Sequence, residues 1–348
     1  MEITIKPYSA EYAAKCANLL QFLWKEEAQQ REEHFKWGYT DNPNTKNKPL
    51  AVIAVNEHDE VVGFRGYHTL KYNFGGQLAK LAYIADTVVS PKARRMGIFE
   101  NMTKKSFEYL KDNGAACISN LGPSWPPYYG YKKLGFEDLC EFRSVYYVSL
   151  YRYISEKFHS ADLVEHINEK KTAGEITYQV ATSIPVEILE QIPSKSGNKI
   201  ESVKDLDNLV WKGEHPGSRY VYAWAVDNSG TIKTFFWFKA SSATIYNLGL
   251  HYMPDKSIAK KTFKFFTKIT KPVAVAAWSF ALEKEDIKKL SSIGMHKIPY
   301  INKIRKNPPV IVRTLISNSD GSLNWTINGT DIRDVKNWSI NKFDGDSF

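Results

Sequence analysis

Asp86-Thr-Val-Val-Ser-Pro-Lys-Ala-Arg-Arg-Met-Gly-Ile-Phe99 decides the reading of this chain, and two short downstream segments complete it: Asn120 and Tyr131-Lys-Lys-Leu-Gly-Phe136. The first residues form an apolar, β-branched run that reads as a strand ending at Pro91. A short basic loop with one glycine follows. Phe99, Met102, Phe107 and Leu110 then fall on one side of a helix. A strand-to-helix junction of this kind points successive backbone N–H groups, and the positive end of the helix dipole, at one spot. Arg94 and Arg95 add two more donors. The guest that suits such a place is a phosphate or pyrophosphate.

The glycine pattern fits neither of the two commonest phosphate loops, G-x-G-x-x-G after a first strand or G-x-x-x-x-G-K-[ST]. Arg94-Arg95-Met96-Gly97-Ile98-Phe99 instead resembles the acetyl-CoA loop of the GCN5-related N-acetyltransferase (GNAT) superfamily, written [QR]-x-x-G-x-[GA]. Phe99 departs from that pattern, standing where Gly or Ala is usual. Tyr131-Lys132-Lys133-Leu134-Gly135-Phe136 is similar to the family's tyrosine-to-Leu-Gly-Phe signature, and Asn120 ends the intervening strand, Ala115–Ser119. Trp37-Gly-Tyr-Thr-Asp-Asn-Pro43 also looks like the W-x-x-x-x-N-P stretch of GNAT-like proteins from bacterial surface-polysaccharide gene clusters. The resemblance implies an α/β (α+β) fold, a mixed, mostly antiparallel sheet flanked by helices.

The chain repeats itself. Hairpin, strand, helix, strand and a closing Gly run in the same order in both halves, with hairpins at Leu50–His68 and Tyr220–Lys239. Trp37 and Trp211 differ by 174 positions, Pro91 and Pro254 by 163, Gly135 and Gly294 by 159. Two GNAT-like domains are expected: 1–155 with the acetyl-CoA loop, 156–180 as connecting segment, and 181–348 without the loop. In the second half Pro254-Asp255-Lys256-Ser257 replaces the Arg-Arg-Met-Gly loop, and Leu290 stands four residues before Gly294 where a tyrosine would be. One cofactor site follows. Trp211, Tyr222, Trp224, Phe236 and Trp237 would supply either acceptor-pocket surface or plain core.

The resemblance also implies roles. An acceptor amine attacks the thioester of acetyl-CoA directly in a ternary complex, so the thioester oxygen must be held and the leaving thiolate protonated. Backbone N–H groups of Val88 or Val89 would hold the oxygen. Arg94, Arg95, Gly97, Ile98 and Phe99 would cradle the pyrophosphate, and Asn120 would contact pantetheine. Tyr131 is the candidate acid, chosen over Tyr128 and Tyr129 by its spacing to Gly135. Asp86 is the candidate base, with Glu32, Glu33 and His34 on the segment lining the acceptor pocket and a water relay as the alternative.

Composition narrows the rest. The 348 residues are 43% hydrophobic and 14% aromatic, which excludes general disorder and allows two domains. No stretch approaches a membrane span, and the N-terminus lacks a signal-peptide core, so a cytoplasmic location is expected. Cys16, Cys117 and Cys140 are too scattered for a disulfide frame, and the eight histidines show no metal-ligand spacing. No metal, membrane or nucleic-acid partner is expected. The net charge of +9 is spread along the chain, and its densest cluster, Lys256 to Lys271, reads as the solvated face of a helix. The expected activity is transfer of an acetyl group from acetyl-CoA to a small primary amine, an amino sugar among the candidates. The rivals are a Fem-type aminoacyltransferase using aminoacyl-tRNA and a non-catalytic CoA-binding module.

Overall fold

The computed structural model describes residues 2–25, 27–45, 48–156, 166–193, 197–299 and 307–345. The first half runs β1 (Ile3–Pro7), α1 (Ala13–Leu19), α2 (Ala28–Phe35), β2 (Ala51–Asn56), β3 (Val61–Phe74), β4 (Gln77–Val89), α3 (Ile98–Asp112), β5 (Ala115–Asn120), α4 (Trp125–Lys133) and β6 (Glu137–Cys140). A π-helical turn, Lys36–Thr40, extends α2. β3 and β4 turn back on each other at Gly75-Gly76, whose φ values of 59° and 103° suit only glycine readily. α3 is the crossover that lets β5 lie parallel to β4.

The chain continues through β7 (Ser144–Val148), α5 (Leu150–Glu156), β8 (Asn168–Ala173), β9 (Ile176–Ala181), α6 (Val186–Leu189), β10 (Ile200–Ser202), α7 (Leu206–Gly213), β11 (Tyr220–Asp227), β12 (Ile232–Ala240), β13 (Ile245–Tyr252), α8 (Lys256–Thr270), β14 (Ala274–Trp278), α9 (Lys284–Ser292) and β15 (Val310–Thr314). Two mixed sheets result, ordered β1-β2-β3-β4-β5-β15-β6 and β7-β14-β13-β12-β11-β9-β8, with β10 added to β3. Six strands of each correspond, with the parallel pair β4/β5 set on β13/β14 and β15 on β7, while β8 and β6 have no counterpart strand.

One closing strand of each half has changed places. β15, from the end of the second half, inserts between β5 and β6 of the first sheet. β7, from the end of the first half, lies beside β14 in the second sheet, where Tyr146 also bridges His296. The expected division at 155 and 181 therefore does not separate the sheets. β8 and β9 lie largely inside the expected connector yet belong to the second sheet, and residues 157–165 of that connector lie outside the described residues. A closing strand of this kind pairs by backbone hydrogen bonds. No side-chain pattern announces which of two similar sheets it joins.

Side-chain alternation divides the first sheet into two faces. Phe64 and Val88 pack under α1 and α2 with Tyr12, Cys16 and Phe35. Ile84, Ile118 and Ile311 pack under α3 and α4 with Leu110, Tyr131 and Phe136. Toward the β3/β4 hairpin, Leu70, Tyr72 and Phe74 are covered by the second half, through Trp211, Trp278 and the tail residues Ile332, Trp338 and Ile340. Lys260, Lys261, Lys264 and Lys268 stand exposed on α8 while Phe263 and Phe266 are buried, as a solvated helix face requires.

Candidate active site

α3 begins without a cap. Its N-cap is Gly97, at φ 72°, which has no side chain to accept from the first turn. The N–H groups of that turn are thus left without a side-chain acceptor, the condition under which a helix start takes an anion. Arg95 also sits in the left-handed region, at φ 68°, so two of three consecutive residues curl the loop back toward the helix. Arg94 and Arg95 are exposed, and among the described residues neither guanidinium has a hydrogen-bond or ion-pair partner. The second half is different in kind. Asp255 caps α8, its Oδ1 accepting from the N–H groups of Ser257 at 2.7 Å and Ile258 at 3.0 Å. A carboxylate there already fills the place an anion would take. The uncapped α3 therefore fits a pyrophosphate and α8 does not.

β4 pairs with β5 only from Lys80 to Tyr83; from Ile84 onward it pairs with β3 alone, leaving its other edge open. The N–H of Ser90 bonds to Val62 of β3 at 2.8 Å, so strand alternation turns the N–H of Val88 toward β3 as well. The N–H groups of Thr87 and Val89 face the open edge. Of the two expected valines, only Val89 is placed to offer its amide.

Tyr131, on α4, is 1% exposed and lies on the same face of the sheet as the start of α3. Its hydroxyl oxygen accepts from Nη1 of Arg65 at 3.3 Å, and among the described residues it has no acceptor for its own proton. Tyr128 instead donates to Asp138 at 3.0 Å, and Tyr129 is exposed. Phe99, the departure from the loop pattern, tilts against Tyr131 with ring centroids 5.3 Å apart and abuts Gly130 of α4. Asn120 is turned to its own loop, where its Oδ1 accepts from the N–H of Gly122 at 3.0 Å.

Arg65 was not anticipated from the sequence. It is fully buried on β3. Nε donates to the Tyr67 hydroxyl, Nη1 reaches Thr87 Oγ1 and Tyr131 at 3.3 Å each, and Nη2 has no partner. The signal available was a charged residue inside the apolar run Val61-Val-Gly-Phe-Arg-Gly-Tyr67.

Asp86 projects from the opposite face, under α1 and α2. Its carboxylate accepts from Trp24 Nε1 at 3.0 Å and the Tyr39 hydroxyl at 2.6 Å. Trp24 stacks on His34 at 4.0 Å, and His34 lies 4.8 Å from His215 of the second half. Burial beside His34 and Lys239 pushes the His215 imidazole down to about 3. His68 is likewise held well below the usual histidine range, by burial above all, then by Lys212. Trp37 and Trp211, the expected counterparts, stack at 4.8 Å, each indole N–H donating to the other's backbone carbonyl, at 2.7 and 2.9 Å. Beside this stack opens a cleft of about 690 Å³ between α2 and α7, lined by Glu33, Asp41, Asp207 and Glu214 among others. Lys36 pairs with Asp41 at 3.3 Å; among the described residues Glu33, Asp207 and Glu214 have no basic partner. Tyr222, Trp224, Phe236 and Trp237 are buried core, leaving Trp211 as the aromatic of that set at the cleft.

The profile of the acetyltransferase (GNAT) domain family matches residues 4–138, the stretch that holds α3, Tyr131 and the open edge of β4. This part of the chain matches the GNAT acetyltransferase domain family. Solved structures extend the likeness to the tandem arrangement. A probable N-acyltransferase from Enterococcus faecalis superposes with a TM-score of 0.61 at 11% identity, covering 90% of this chain and 73% of that one. A GCN5-related N-acetyltransferase from Anabaena variabilis gives 0.57 at 12% identity, with coverage of 90% and 73%. A tandem GNAT protein of the clavulanic acid biosynthesis pathway gives 0.52 at 10% identity, covering 91% of this chain and 100% of that one. At these identities the likeness is one of fold. No curated protein sequence matches the chain significantly. No described helix is long and apolar enough to cross a membrane.

Proposed function

We propose that the protein is an acetyl-CoA-dependent N-acetyltransferase with one donor site, in the first half, and an acceptor site at the cleft between the halves. The observation that carries this reading is the placement, on one face of one sheet, of an uncapped helix start and a buried phenol whose proton has no acceptor. Arg94, Arg95 and the N–H groups of α3 hold the pyrophosphate, and the Val89 amide on the open edge holds the thioester oxygen. The amine nitrogen bonds to the acyl carbon as the carbon–sulfur bond breaks. The electron pair leaves on sulfur, which takes the Tyr131 proton. Water relays the amine's surplus proton to solvent, because both oxygens of Asp86 already accept hydrogen bonds and its role is to orient Trp24 and Tyr39.

Charge supports a cationic acceptor. A chain of net charge +9 lines its interdomain cleft with four carboxylates against one lysine, Lys36, a net negative setting that attracts a cationic amine and disfavours a nucleotide diphosphate. A free amino sugar, diamine or basic amino acid suits the cleft; a nucleotide-linked amino sugar or an aminoacyl-tRNA does not. Calorimetry with acetyl-CoA tests the donor half. Micromolar binding is expected and should vanish in Arg94→Ala/Gly97→Glu. A folded wild type that ignores acetyl-CoA refutes the proposal. Free-thiol release across an amine panel tests the acceptor half, which fails if nucleotide-linked amines are preferred.

A further inference from the structure

Arg65 is a cation with no counter-ion. Its side chain is wholly out of solvent, every acceptor it reaches is a neutral hydroxyl, and Nη2 reaches none. A buried guanidinium left this way costs several kcal/mol, and half-satisfied polar networks are worse for stability than an apolar core. The rings of Tyr67, Tyr131 and Phe99 lie 5.2, 5.2 and 5.5 Å from its Cζ. Contacts of that kind offset only part of the cost. The Tyr67 bond has a structural purpose, since Tyr67 also meets Ser106 Oγ at 2.5 Å and so ties β3 to α3. That purpose needs Nε alone. It does not account for a charged head extended to Tyr131.

The position of the charge does account for it. Arg65 bridges Thr87, the neighbour of Val88 on the open-edged strand, and Tyr131, the group with an undonated proton. Resting on the reading above, we infer that Arg65 is a positioning residue for the leaving group. It fixes the Tyr131 hydroxyl by donating to it. It also sets one positive charge behind the spot where negative charge gathers when the carbon–sulfur bond breaks, first on sulfur and then, once the proton has passed, on the phenol oxygen. Low local dielectric makes a fixed charge effective there.

The consequence is a preference for the thiolate form of the product. CoA binding by the wild-type protein should strengthen roughly tenfold as pH rises through ionisation of the thiol, near ~8.5. Binding of desulfo-CoA, which has no sulfur, should show only the small change from its phosphate monoester's second ionisation near ~6 and lack the rise near ~8.5. In Arg65→Met the strengthening disappears, while acetyl-CoA binding at pH 7 stays within about twofold. Arg65→Lys retains most of it. Calorimetric titrations of CoA, desulfo-CoA and acetyl-CoA from pH 6.5 to 9.5 read all of this without turnover. The same CoA pH dependence in wild type and Arg65→Met overturns the inference. So does a marked gain for succinyl-CoA over acetyl-CoA lost in the variant, which would make an acyl carboxylate the partner. If Arg65→Met does not fold, Arg65→Gln, which keeps a neutral donor at that place without the charge, replaces it under the same criteria. A wild type that binds no CoA at all overturns the donor-site reading itself, a result distinct from a pH-insensitive binder.

Discussion

Gly130→Ala should change sign with the residue at position 99. Gly130 lies inside α4, where alanine normally gains about 1 kcal/mol over glycine through helix propensity. At this position a Cβ would stand 2.7 Å from Cε1 of Phe99 and 3.4 Å from Cδ1 and Cζ. Relieving that overlap means displacing an aromatic ring wedged between α3 and α4, an overpacking cost of about 1–3 kcal/mol. Gly130→Ala alone is therefore expected to be neutral to about 2 kcal/mol destabilising. In a Phe99→Ala background the obstacle is gone, and the same change should stabilise by about 1 kcal/mol. Urea unfolding of the four proteins gives the coupling directly, expected at about 1–3 kcal/mol. An equal shift in both backgrounds would refute the contact, and with it the account of why the loop tolerates phenylalanine.

Trp211→Ala should cost about 3–5 kcal/mol, and a cycle with Trp37→Ala should show coupling of about 0.5–3 kcal/mol; additive effects in urea melts would mean the stack does not join the halves. Residues 1–155 expressed alone should fail to fold, because β5 and β6 lose β15, whose Val310, Ile311 and Val312 are fully buried; a soluble monomer with native circular dichroism contradicts the exchange. His215 and His68 are neutral when folded and take up protons more readily when unfolded, so their contribution to stability is complete above pH ~6.5 and is lost as pH falls below it, for His215 down to about 3 at up to about 1.4 kcal/mol per unit. His215→Gln should flatten the decline between pH 6.5 and 5, and an unchanged slope in urea midpoints speaks against it. Arg313→Ala removes a 2.9 Å bond to the Leu134 carbonyl and a cation 3.8 Å from the Phe107 ring, together about 1–3 kcal/mol; turnover should fall with acetyl-CoA affinity unchanged, and an unchanged turnover number would detach β15 from the site.

The strand–loop–helix run at 86–112 was legible because each part carries a local signature: β-branched residues, a basic turn with one glycine, then helical periodicity. β4, α3, β5 and, in the second half, β11–β14, α8 and α9 fall where turn chemistry and alternation put them, whereas β3 runs to Phe74, past the expected His68, and β8 and β9 occupy the expected connector. The pairing of Trp37 with Trp211 was half legible. Their equivalence is a matter of register, but their stacking depends on how the two halves meet. The exchange of β7 and β15 left no mark, because antiparallel partners are chosen by backbone geometry over distances the sequence does not encode locally. Val88 and Val89 look alike as residues and are separated only by which way the strand turns their N–H groups. Arg65 was hidden for the opposite reason. A charge in an apolar strand usually means an edge or a bulge, and only the fold shows this one buried beside Tyr131.

In the second half Asp255 caps the start of α8, so the place an anion would take at that helix end is filled by a carboxylate of the chain itself. The second half nonetheless reaches the site in three ways. Its strand β15 completes the first sheet, with Ile311 opposite Asn120 and the Ile311 carbonyl accepting from Ser119 Oγ at 3.0 Å. Arg313, two residues on, grips the end of α4 at the Leu134 carbonyl, one turn from Tyr131. Trp211 and α7 form one wall of the acidic cleft. A free-standing single domain would need its own strand in the β15 position and would have no cleft. Exchange of the closing strands makes each half depend on the other for a fully paired sheet, so the proposed donor site in one half and the proposed acceptor wall in the other cannot drift apart while the protein stays folded.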